Sequence, residues 1–120
     1  MTKEETTQSK ENIKNRLIDI AGKVGATRVY LLGPFPEDKL FEDCYAWITL
    51  FLFGSSVRID AYDNDDPWIR ISRLLDQKPR FADIMVYTSH QNQFDESVSS
   101  GDLDAISGYI VSDGEVIYAS

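Results

Sequence analysis

The run Tyr45–Phe53, Tyr-Ala-Trp-Ile-Thr-Leu-Phe-Leu-Phe, limits the fold of this chain more than any other segment. Its apolar part, Ala46–Phe53, is broken only by Thr49 and is the longest such stretch in the sequence. It falls far short of the roughly 18 residues that mark a membrane-crossing helix. Aromatic and β-branched residues without polar alternation fit a strand in the middle of a sheet. The sequence therefore predicts a sheet with Tyr45–Phe53 inside it, and the rest of the chain must supply its neighbours and cover.

At 120 residues, 42% hydrophobic and 27% charged, the chain has the length and usage of one globular domain. Residues 1–8 are polar and read as a disordered N-terminal tail, leaving 9–120 as the domain. Ile13, Leu17, Ile20, Ala21 and Val24 repeat at helical period, with Ser9 as N-cap and Gly25 as the closing left-handed residue. Thr27–Leu32 reads as a buried strand ending at Gly33, and Glu37–Glu42 as one or two helical turns. Gly54-Ser55-Ser56 is a turn, and Val57–Tyr62 is expected to fold back on Tyr45–Phe53 as a hairpin.

Asp66-Pro67 combines an N-cap with proline at the first helical position, so a helix begins there, with Trp68, Ile71, Leu74 and Leu75 as its buried stripe and Lys78-Pro79 as its end. Phe81–Thr88 follows as a strand and Ser89–Gly101 as a long polar loop. Leu103, Ile106, Tyr109 and Ile110 fit a short helix, and Asp113-Gly114 turns into a last strand, Glu115–Ala119. Because Asp-Gly also makes hairpins, residues 109–118 have a two-stranded ribbon as their alternative. The fold class expected is a single-domain α/β protein, a mixed β-sheet with helices packed on it.

Function classes narrow quickly. The net charge is −8, from 20 acids against 12 bases, which repels phosphate backbones and argues against DNA as a partner while leaving a basic protein open. The lone Cys44 cannot form an internal disulfide, the polar start of the chain carries no secretory signal, and a cytoplasmic protein is expected. Cys44 stands beside Glu42 and Asp43, whose charge disfavours a thiolate. The single His90 excludes multi-histidine zinc chemistry and reads as an exposed loop residue. Asp60, Asp63, Asp65 and Asp66 fit no EF-hand register and read as a solvated loop ending in an N-cap.

Three segments together carry a further pattern. Val29-Tyr30-Leu31-Leu32 runs into Gly33, a second strand starts at Tyr45, and Phe81–Thr88 carries Asp83; the chain closes with Asp113-Gly114 and Ile117-Tyr118. Over residues 13–119 this resembles the minimal nucleotidyltransferases of the DNA polymerase β superfamily, the small partners of HEPN proteins in two-gene modules. In that family a Gly-Ser turn grips phosphates, Asp-x-Asp on the second strand and a third carboxylate hold the metals. Nucleotidyl transfer uses two divalent ions about 3.5–4 Å apart, which clustered carboxylates must bridge.

On that alignment Gly33 is kept, Pro34 replaces the serine, Tyr45 and Trp47 replace the two aspartates, and Asp83 alone matches. Aromatic rings cannot hold magnesium, and proline has no N–H to offer a phosphate. The resemblance implies a nucleotidyltransferase-like scaffold without catalysis or cofactor. It implies a binding or regulatory role as the protein partner of a HEPN-type subunit in a toxin–antitoxin-like module, or of a second copy. Phe35, Phe41, Tyr45 and Trp47 would anchor such an interface if exposed, and otherwise belong to the core. A second register places the turn at Gly54-Ser55, with Asp66 and Asp83 as metal ligands; it implies an active transferase using Mg and a nucleoside triphosphate. There Trp68 takes the place of the partner aspartate, so the acidic pair is again incomplete.

Overall fold

A computed structural model describes residues 3–36, 45–59, 63–75 and 83–120. Helix α1 (Lys3–Val24) buries Ile13, Leu17, Ile20, Ala21 and Val24, the stripe read from the sequence. Gly25 closes it at φ 78°, where the N–H groups of Gly25 and Ala26 both donate to the Ala21 carbonyl at 3.0 Å. This left-handed cap gives one carbonyl of the last turn two donors, where a helix end otherwise leaves its carbonyls without partners. The helix starts at Lys3 rather than at Ser9, so Ser9 is not its N-cap.

Four strands form one mixed sheet in the order β3-β2-β1-β4, comprising β1 (Arg28–Pro36), β2 (Tyr45–Phe53), β3 (Asp83–His90) and β4 (Glu115–Ala119). β1 is antiparallel to both β2 and β4, and β2 is parallel to β3. β2 is thus an interior strand, as its composition requires. Its alternate residues feed two cores: Trp47, Phe51 and Phe53 on one face, Leu50 and Leu52 on the other. Thr49, fully buried in the same run, donates its hydroxyl to the Tyr30 carbonyl at 2.9 Å, which removes the penalty of burying it.

Helix α2 (Pro67–Leu75) connects β2 to β3 and lies with α1 on the Trp47 face. Helices α3 (Gln91–Ser100) and α4 (Ala105–Asp113) cover the other face through Phe94 and Ile110. Asp66 starts α2 as expected, its Oδ1 accepting the Trp68 N–H at 2.9 Å. Asp104 starts α4 in the same way, accepting from Ser107 at 2.7 Å. At the end of α4, a side chain on Gly114 would run into the Ile110 carbonyl, so the tight entry into β4 needs glycine.

Several sequence expectations change. β1 does not stop at Gly33; it passes through Gly33 and Pro34 to Pro36. Val57–Ile59 form no strand, because both edges of β2 are already taken by β1 and β3. The polar stretch after Ser89 is not a loop: Ser89 and His90 finish β3, and α3 follows directly. That helix holds on through one buried residue, Phe94, and a glycine cap at Gly101 (φ 74°), whose N–H and that of Asp102 return to Val98 and Ser97. Trp68, expected in the buried stripe of α2, is 44% exposed. The short helix around Ile106, Tyr109 and Ile110 and the final strand hold as α4 and β4, and the ribbon alternative drops out. The helical turns expected at Glu37–Glu42, the Lys78-Pro79 stop and Phe81 lie outside the described residues.

Candidate functional site

The positions singled out by the first register meet at one end of the sheet. β1 arrives there with Gly33 and Pro34, β2 leaves from Tyr45, and β3 leaves from Asp83. Pairing brings Pro36 opposite Tyr45 and Ala46 opposite Asp83. Gly33 and Pro34, however, make no phosphate-gripping turn. Between the pairs Leu32–Ile48 and Phe35–Ala46, β1 holds one residue more than β2, which is a β-bulge. Gly33 takes φ 131° there, a conformation that side-chain-bearing residues rarely adopt, and the chain then continues as a strand.

Trp47, which the resemblance aligns with a metal-binding aspartate, is 1% exposed in the core beneath α1 and α2. Its indole Nε1 finds no acceptor among the described residues. It is a packing residue and not an exposed anchor. The side chains of Phe35 and Tyr45, and the residues Phe41 and Cys44, lie outside what is described. Asp83 occupies the position paired with Ala46, one step out of phase with the Trp47–Ile84 pair.

The second register is spread along the sheet. Gly54 and Ser55 sit in a β-turn after β2, closed by the Val57 N–H donating to the Gly54 carbonyl at 3.1 Å. Gly54 therefore follows the Phe53–His90 pair, whereas Asp83 begins β3 at the opposite end of the pairing. At 3.3 Å per residue the two ends are about 23 Å apart. Asp66 is 2% exposed with one carboxylate oxygen on the α2 backbone. Asp63 pairs with Arg58 at 2.8 Å and accepts the Asp65 N–H at 3.0 Å, the turn chemistry of an ordinary acidic loop; Asp60 lies outside the described residues. Among the described residues no three His, Cys, Asp or Glu side chains gather as a cation would require.

His90 is not a free loop residue either. It ends β3, half-buried, with Nε2 2.6 Å from the Val57 carbonyl. A carbonyl can only accept, so Nε2 carries the hydrogen and donates it. The ring fastens the β3–α3 junction to the turn after β2.

The feature that sequence reasoning missed is the distribution of charge. All 12 Lys and Arg lie within the first 80 residues, and residues 91–120 hold six acids and neither Lys nor Arg. Those residues build α3 and α4, which cover one face of the sheet, and its edge strand β4. Two of the six acids are met by cations from elsewhere. Arg28 on β1 reaches Asp95 at 3.1 Å, and Lys14 on α1 reaches Glu115 at 3.1 Å. Burial opposes the charge on Arg28, but hydrogen bonds to Tyr30 and Asp95 outweigh it, and the guanidinium titrates above its ordinary value. Glu96, Asp102, Asp104 and Asp113 make no ion pair among the described residues. The net charge of the whole chain conceals this segregation; a windowed count would have found it.

No protein-family model matches the chain, and neither a curated protein nor a solved structure matches it.

Proposed function

We propose that this chain is a non-catalytic protein-binding module, a regulatory subunit rather than an enzyme. The observation that carries the reading is Trp47. The resemblance aligns Trp47 with a metal-binding aspartate, and an indole packed at 1% exposure offers a cation nothing to bind. Removing Trp47 would remove core, so the position serves the fold. A HEPN-type subunit and a second copy of the chain are the two partners that the resemblance implies, and neither requires a nucleotide.

Isothermal titration with Mg-ATP tests this reading, together with a transfer assay on candidate protein and RNA acceptors. The expected result is no saturable heat and no transferred nucleotide. Micromolar binding accompanied by transfer that Asp66→Ala or Asp83→Ala abolishes would overturn it in favour of the active enzyme.

A further inference from the structure

We propose that the indole of Trp68 is a latch on the outer edge of β3, and that a second copy of the chain pairs with that edge once the latch is withdrawn; this deepens the protein-binding reading and rests on it. The sheet ends in two strands that are protected differently. β4 is five residues long and opens on Glu115. It also carries a bulge, because Val29 pairs with Tyr118 and Tyr30 with Val116, which leaves Ile117 as the extra residue. Short length, charge and a bulge all keep an edge from pairing with another chain. β3 has none of them. It runs eight residues in unbroken register with β2, without proline, and Ile84–Ser89 carries no charge. Uncharged β-forming segments of that length are the ones to which further strands add.

What β3 has instead is Trp68. Its Nε1 donates to the Val86 carbonyl at 3.0 Å, midway along the strand, while the residue stays 44% exposed. In a strand, the N–H and C=O of one residue point to one side and those of the next to the other. A half-exposed indole reaches Val86 from the solvent side, so Ile84, Val86 and Thr88 turn their backbone groups away from β2. The indole then holds the central acceptor that an added strand would use. Among the described residues, no backbone group outside β2 bonds Ile84–Thr88. A second copy fits this edge because β3 is self-complementary. Set antiparallel about a twofold axis at Val86, Met85 meets Tyr87 of the second copy, Ile84 meets Thr88, and Asp83 meets Ser89, so no charge opposes its like. Met85, 48% exposed in the single chain, leaves water in that arrangement.

Sedimentation velocity on the full chain over the micromolar range tests the latch, with circular dichroism to confirm folding. The parent protein is expected to be monomeric. Trp68→Phe keeps the ring and loses the N–H, and should associate about tenfold more tightly, the worth of one hydrogen bond. Trp68→Ala should associate more tightly still, and adding Met85→Lys to it should restore the monomer by placing a charge at the junction. In hydrogen exchange, the amides of Ile84, Val86 and Thr88 should be fast in the monomer and slow in the dimer, and those of Met85, Tyr87 and Ser89 slow in both. Variants that associate no more tightly than the parent overturn the proposal. So does a dimer that Met85→Lys leaves intact, or one that protects β4 rather than β3. If Trp68→Ala does not fold, Trp68→Phe decides alone. Failure of the latch leaves the non-catalytic reading intact; nucleotide transfer overturns that reading and leaves the latch.

Discussion

The two faces of the sheet are built to different standards. Beneath α1 and α2 the buried cluster runs from Ile13 through Trp47 and Phe53 to Ile71, and polar contacts lock the two helices together. Arg16 donates to the Leu74 carbonyl at 2.6 Å and Arg70 to the Lys23 carbonyl at 3.0 Å. Beneath α3 and α4 the buried cluster is Leu32, Leu50, Leu52, Phe94 and Ile110, with a surplus of acids and several apolar side chains left in water. The first face buries the larger cluster.

The largest effect that can break this contrast comes from cavity mutations of matched size. Leu17 and Ile110 are both essentially unexposed, at 0% and 1%. Leu17→Ala should cost about 4 kcal/mol in urea unfolding and Ile110→Ala about 2 kcal/mol, because the thinner layer can collapse onto the gap. Equal costs would mean that the faces are equally rigid. A smaller comparison uses the helix caps. Asp66, buried, and Asp104, exposed, do the same work on opposite faces. Replacing Asp66 with Ala should cost about 2 kcal/mol and replacing Asp104 about 0.5–1 kcal/mol, both read from denaturation midpoints. The smallest effect has the opposite sign. Asp113→Asn should raise stability by about 0.3–1 kcal/mol by relieving the end of α4, a gain that disappears in high salt. A loss of stability there would mean that the helix end does not disfavour this acid.

How much of this was legible in the sequence depends on how local the signal is. The α1 stripe, the Gly25 stop, the Asp66-Pro67 start and the interior character of Tyr45–Phe53 are written in adjacent residues, and all four hold. Partner choice in a sheet is not local. The expected hairpin failed because the open edge of β2 is filled by β3, which arrives only at Asp83, and nothing in Val57–Ile59 announces that competitor. Gly33-Pro34 reads as a break for the same reason, since a bulge becomes recognisable only beside its opposing strand. The phase of Asp83 relative to Trp47 is likewise a matter of parallel register, which spacing along the chain does not encode. Helix α3 was missed because a single buried side chain, Phe94, gives too little periodicity, although Gly101 marked its end.

One detail of the first face has a practical consequence. The chain has two tryptophans in contrasting surroundings. Trp47 is sealed in the core, while Trp68 is 44% exposed with its indole N–H on the Val86 carbonyl of edge strand β3 at 3.0 Å. Their emission should therefore separate into a blue component and a red one. The blue component follows loss of the whole fold, and the red one follows release of α2 from the sheet edge. Trp68→Phe isolates the first signal, so unlabelled protein can report whether that edge opens before the core melts.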